Sequence, residues 1–182
     1  MLRKYGQGSR LWGWTIVGWM AIVLGGCDPR PLVLNLPFGE DPQSVNSPYE
    51  ESSPNLGGRY VVYVSDRGGY RQIYAFDVVD RRPLPLPGLN RSDTVVADPA
   101  ISEDGRYVVF TGSRQGRSDI YLYDRTFQST RPLTDRLRAT VRNPTLSANG
   151  DRIAFEVNVG GQWDIAVYDR NGNPLPIPTN PR

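Results

Sequence analysis

The sequence has no histidine, and it has one cysteine, Cys27, and one lysine, Lys4. Without imidazole there is no Ser-His-Asp triad, no Cys-His dyad, no His-ligated metal and no histidine general base. A single cysteine forms no intramolecular disulfide. No loop has the acidic order that an EF-hand calcium site needs, and none of the serines has a base to activate it. The expectation is a chain with no catalytic residues, no metal site and no cofactor.

A long basic run is also missing. The formal charge of +2 arises from the first 26 residues, which carry Arg3, Lys4 and Arg10 and no acid. Beyond them 18 basic residues, all arginine, face 19 acids. That balance, with no recognisable nucleic-acid-binding motif, excludes nucleic acid as the expected partner. Glycine (19) and proline (16) are plentiful instead, which suits a turn-rich all-β chain and not long helices.

The apolar residues of the start form one run of fourteen, Leu11 to Leu24. A spanning helix needs about 20 residues, so the run fits the core of a signal peptide. It ends in Leu24-Gly25-Gly26-Cys27. These four residues resemble the bacterial lipobox, in which a leucine and two small residues precede a cysteine whose thiol is diacylated, the leader being cut off just before it and the new amino terminus acylated too. The resemblance implies residues 1–26 as a lipoprotein signal peptide, Cys27 as the lipidation site, and attachment at the periplasmic face of a bacterial envelope membrane. Several acyl chains make a lasting anchor where one is marginal. The alternative is an ordinary secretory signal or short anchor with an incidental cysteine. Residues 27–56 hold six prolines among polar residues and read as an extended tether. Within them Leu32 to Leu36 is either a strand docked on the folded part or an apolar piece of the tether.

From residue 57 the chain repeats itself. Gly58, Gly105 and Gly150 each precede an aromatic by five residues: Tyr63, Phe110 and Phe155. Ten residues later stand Ile73, Ile120 and Ile165, and four beyond these Asp77, Asp124 and Asp169. The copies are offset by 47 and 45 residues, a period of propellers and solenoids. In the second copy Pro99–Ser102 reads as a first strand, Glu103-Asp104-Gly105 as a tight turn, and Tyr107–Phe110 as a buried second strand. A loop from Ser113 to Asp119, a third strand Ile120–Tyr123 and a fourth at Arg131–Thr134 follow. Four antiparallel strands in this length make one propeller blade. The fold expected is therefore all-β: three four-stranded antiparallel blades, a partial β-propeller, over about 57–95, 96–140 and 141–178. The first copy lacks a clear first strand.

Pro99, Ser102, Asp104, Gly105, Phe110, Ser113, Gly116, Ile120, Tyr121, Asp124, Leu133 and Thr134 resemble the TolB-type propeller repeat, a relative of the WD-repeat blade. The other copies match it in part, and the resemblance covers about residues 57–178. It implies periplasmic scaffolding, with a peptidoglycan-associated lipoprotein as one class of partner. Members of the family carry six blades behind an α/β domain, whereas three blades and no such domain are the expectation here. Two copies that complete a six-bladed ring, or an open three-blade wedge, are the alternatives.

Asp77, Asp124 and Asp169 recur at one place in each copy, which points to structural work at a turn, as for Gly58, Gly105 and Gly150. Arginines are more telling. The loops of one rim carry Arg67, Arg71, Arg91, Arg114, Arg117, Arg136, Arg138 and Arg142. Acids sit there too, so this is either a solvated mixed rim or a face that grips carboxylates bidentately. The function expected is a lipid-anchored, non-enzymatic interaction scaffold of the envelope. A glycan-binding or sensory module, or the accessory propeller of an envelope hydrolase, are the alternatives.

Overall fold

A computed structural model describes residues 44–177. Leu24, Gly25, Gly26 and Cys27, and the Leu32–Leu36 stretch, lie outside the described residues. Those described form three antiparallel sheets and no helix. The first sheet is β1 (Glu51–Gly57), β2 (Tyr60–Ser65), β3 (Gln72–Asp77) and β4 (Arg82–Leu84), in that order. The second is β5 (Val95–Ile101), β6 (Tyr107–Arg114), β7 (Arg117–Asp124) and β8 (Ser129–Pro132). The third is β9 (Thr140–Leu146), β10 (Arg152–Val159) and β11 (Gln162–Asp169). A fourth strand is only sketched there, by a Tyr168–Pro174 bridge and a Leu175 N–H to Val167 C=O bond of 2.7 Å.

The first blade corrects the expected boundary. Its innermost strand starts at Glu51, so the blade begins inside the stretch 27–56 that was expected as tether. The signal was a proline. Pro54, Pro99 and Pro144 are spaced by 45 residues, twice. Each follows a residue with positive φ, namely Ser53 (50°), Asp98 (49°) and Asn143 (50°). At each of these places the ladder to the neighbouring strand slips register. A bulge tolerates a proline that a regular ladder would not. The loop expected over 113–119 is likewise a two-residue turn: β6 and β7 pair to Arg114 and Arg117, with Gln115 and Gly116 both at positive φ.

Each sheet has a leading face, toward the preceding blade, and a trailing face, toward the next. The core lies between sheets. Val62, Val64 and Ile73 of the first blade's trailing face bury against Val96, Val108 and Phe110 of the second blade's leading face. Val109, Ile120 and Leu122 repeat the arrangement against Val141, Ile153 and Phe155. This is why Tyr107–Phe110 is apolar at every position: successive side chains enter different seams. Each such large side chain contributes about 1.5–3 kcal/mol.

The hairpin between the first two strands ties neighbouring blades together. Ser102 is buried; its hydroxyl donates to Asp104 (2.5 Å) and accepts the Tyr107 N–H (2.9 Å). The Glu103 N–H reaches across to Ala148 C=O at 2.9 Å. Gly105 and Gly150 have φ of 68° and 71°, and a Cβ at either would lie 2.6 Å from the ring of Tyr60 or Tyr107 in the preceding blade. Glycine is therefore required there for both backbone and space.

Candidate functional site

The recurring aspartates hold turns. Asp77 Oδ1 accepts from Arg59 Nε (2.8 Å) and from the amides of Val79 and Asp80 (3.0 Å each). Burial pushes its carboxyl up, but Arg59 and these amides outweigh that and hold it below its ordinary value. Asp124 repeats this with Arg106 (2.9 Å) and the Thr126 amide (2.9 Å), again with a lowered pKa despite burial. In the third blade Asp151 stands where Arg59 and Arg106 stand. Asp169 is held instead by the Asn173 side chain and amide, each at 2.8 Å, and its pKa too is lowered. Each of these carboxylates is fully engaged with its own turn.

The eight rim arginines do not form one surface. Arg67 lies on the leading face of the first blade. It stacks 5.5 Å from the Tyr63 ring and 4.9 Å from the Tyr74 ring, pairs with Glu51 at 2.8 Å, and donates to Ser44 C=O at 2.8 Å. Arg71 donates to Ser52 Oγ at 3.2 Å. Arg91 (3.3 Å) and Arg114 (2.7 Å) share Asp93. Arg142 lies on the opposite, trailing face of the third blade, 3.9 Å over the Trp163 ring and 2.6 Å from Glu156.

Arg117, Arg136 and Arg138 are brought together by the connector from β8 to β9, residues 133–139. That connector is firmly held. Leu133 is buried and donates its N–H to Ile120 C=O at 2.7 Å. The Thr134 hydroxyl accepts the Ile120 N–H and donates to Asp119, both at 3.0 Å. Arg117 pairs with Asp119 at 2.9 Å and also donates to the carbonyls of Thr134 (3.1 Å) and Asp135 (2.5 Å). Arg117 is thus a brace. Arg136 and Arg138 are exposed, and neither has a carboxylate partner among the described residues. They flank the connector on two sides. Arg136 lines a cavity of about 520 Å³ with Leu133, Tyr168 and Asn173. Arg138 lines another of about 600 Å³ with Ser113, Ser118 and Thr140. The connector backbone is already held, so a carboxylate that meets these two guanidiniums has only their side chains to order.

Sequence reasoning missed a second arginine group on another loop cluster. Tyr107 is stacked by Arg106 at 4.7 Å and by Arg170 at 4.6 Å, beside a cavity of about 290 Å³ that Phe127 and Arg131 also line. Arg106 and Arg170 are paired with Asp124 and Asp151, so this group is largely neutralised. Nothing in the spacing of these residues announces that they meet.

No protein-family profile and no curated protein matches the chain. Solved structures do. TolB from Acinetobacter baumannii is similar at 23% identity and a TM-score of 0.57, over 71% of this chain and 32% of that one. A TolB-type protein from Agrobacterium tumefaciens gives 21% and 0.54, over 70% and 48%. The β-propeller domain of the Trilobed protease from Pyrococcus furiosus, with its open velcro topology, gives 15% and 0.52, over 70% and 42%. The chain spans between a third and a half of the length of these structures. The order of the strands, the seams between blades and these likenesses together make residues 51–177 three blades of a TolB-type β-propeller fold.

Proposed function

We propose that the chain is a lipid-anchored, non-enzymatic interaction module of the bacterial envelope. It displays its blades on the periplasmic side from acylated Cys27, and docks an anionic segment of an envelope protein on the 133–139 connector. The observation that carries this reading is the pair Arg136 and Arg138, exposed and without a carboxylate partner among the described residues, on a loop that Arg117, Thr134 and Leu133 hold in place. The lipobox at residues 24–27 supports the anchor, and the TolB-type fold supports a docking role. A peptidoglycan-associated lipoprotein is the partner class that the family resemblance implies. No catalytic role is assigned, because the sequence holds no imidazole and the recurring aspartates are spent on turns.

The test is capture from a solubilised envelope extract before and after protease digestion. A protein ligand is lost on digestion. A ligand that survives digestion and is removed by glycosidases would establish the glycan-binding alternative instead.

A further inference from the structure

Each end of the blade stack keeps an apolar side chain at a place that is buried in the internal seams. Leu56 pairs with Val61 as Ile101 pairs with Val108, so Leu56 and Ile101 hold the same place in their blades. Ile101 is 3% exposed because the first blade covers it, whereas Leu56 is 66% exposed. Ile165 pairs with Glu156 as Ile120 pairs with Thr111 and Ile73 with Val64. Ile120 and Ile73 are at most 1% exposed, whereas Ile165 is 61% exposed. The leading face of the first blade thus presents Leu56, while Tyr63 and Tyr74, the counterparts of Phe110 and Tyr121, lie on the same face beneath Arg67, with Tyr63 already 3% exposed. The trailing face of the third presents Ile165 with Trp163 on the same side of β11.

Charge is arranged at the two ends as well. Glu51 stands where the internal seams have Val96 and Val141, and Glu156 where they have Val64 and Thr111. Arg67 accompanies the first acid and Arg142 the second. If a trailing face meets a leading face as Val64 meets Val96 and Phe110, two acids and two arginines share one seam and balance. The segment before β1 is no obstacle. Residues 44–50 precede β1 as 89–94 precede β5, and in the internal seam that stretch fills the joint, with Leu89 buried and Asn90 bonded to the Ile73 backbone at 2.8 and 2.9 Å.

We infer that the partner of these faces is a second copy of this chain, the trailing face of each third blade packed on the leading face of the other's first blade. The chain's own two seams show what covers such a face: another blade. Two copies of three blades close as a two-fold ring of six, within the sizes that propellers adopt. This inference does not depend on the docking connector.

The test is the mass of the full chain in density-matched detergent by sedimentation equilibrium, for the wild type, Leu56→Glu and Ile165→Glu. Both side chains are exposed in one copy, so each variant should fold, as circular dichroism will check. The expected result is a wild-type dimer and at least tenfold weaker association for each variant. An equimolar mixture of the two variants should associate more than either alone, since it keeps one intact seam. A monomeric wild type, open-ended polymers, or association that Ile165→Glu breaks and Leu56→Glu does not, would overturn it.

Discussion

Arg67 and Glu51 meet at 2.8 Å on the leading face of the first blade, with the guanidinium spread over Tyr63 and Tyr74. The Ser47 hydroxyl and amide and the Ser65 hydroxyl also bond Glu51, so the acid sits in a closed network. Burial raises the Glu51 carboxyl, but Ser47 and Arg67 outweigh it and bring it below its ordinary value. Arg67→Ala removes one partner of a mostly buried pair and uncovers two aromatic rings. The expected loss is about 2–4 kcal/mol in urea unfolding, with Arg67→Lys recovering part of it.

Gly150→Ala should destabilise, the reverse of the stabilising Gly→Ala change at an ordinary helix or strand position. The new Cβ meets the Tyr107 ring at 2.6 Å at a φ of 71°. The cost expected is above about 1 kcal/mol, read as a lower unfolding midpoint with an unchanged denaturant slope. Ser102→Ala leaves the buried Tyr107 N–H without its acceptor and should cost about 1–3 kcal/mol by the same measurement.

Acid should unfold the blades. Asp77, Asp124, Asp169, Glu51 and Glu156 all have carboxyls below their ordinary values in the folded chain. A depressed folded pKa contributes stability that is present above the unfolded value and is lost as pH falls through the folded one. Stability should therefore be level between about pH 7 and 5 and fall below about pH 4, by thermal melts across that range. Asp124→Asn should flatten the acid limb and lower stability at neutral pH.

Cys27→Ala, in a chain whose residues 1–26 are replaced by an ordinary cleavable secretory leader, should move the protein from the membrane fraction to the soluble periplasmic fraction. The mass of the wild-type chain should exceed that of the trimmed polypeptide by its acyl groups. Equal distribution of both proteins, with no added mass, would contradict the anchor.

The blade was legible because its seams impose a strict register. The offsets among Gly105, Phe110, Ile120 and Asp124 are set by a turn, a buried face, a second buried face and a turn clamp, and none can drift alone. The first strand of the first blade was harder to see. Pro54 marks its bulge, yet it lies among tether prolines, and Glu51 replaces a core valine. The arginines were least legible. Sequence places eight on comparable loops, but whether each is free depends on which acid or carbonyl lies across the seam. Arg117 is held by a connector some twenty residues away in the chain, while Arg136 and Arg138 on that connector are not.

The central claim is that Arg136 and Arg138, and not the rim at large, capture the partner. The direct measurement is quantitative capture of envelope protein by the full chain, comparing Arg136→Glu/Arg138→Glu with Arg71→Glu/Arg91→Glu. Both double variants change the charge by the same amount. The account predicts that the first loses the captured protein and the second keeps it. Equal capture by the first variant and the wild type, or equal loss in both variants, would contradict it.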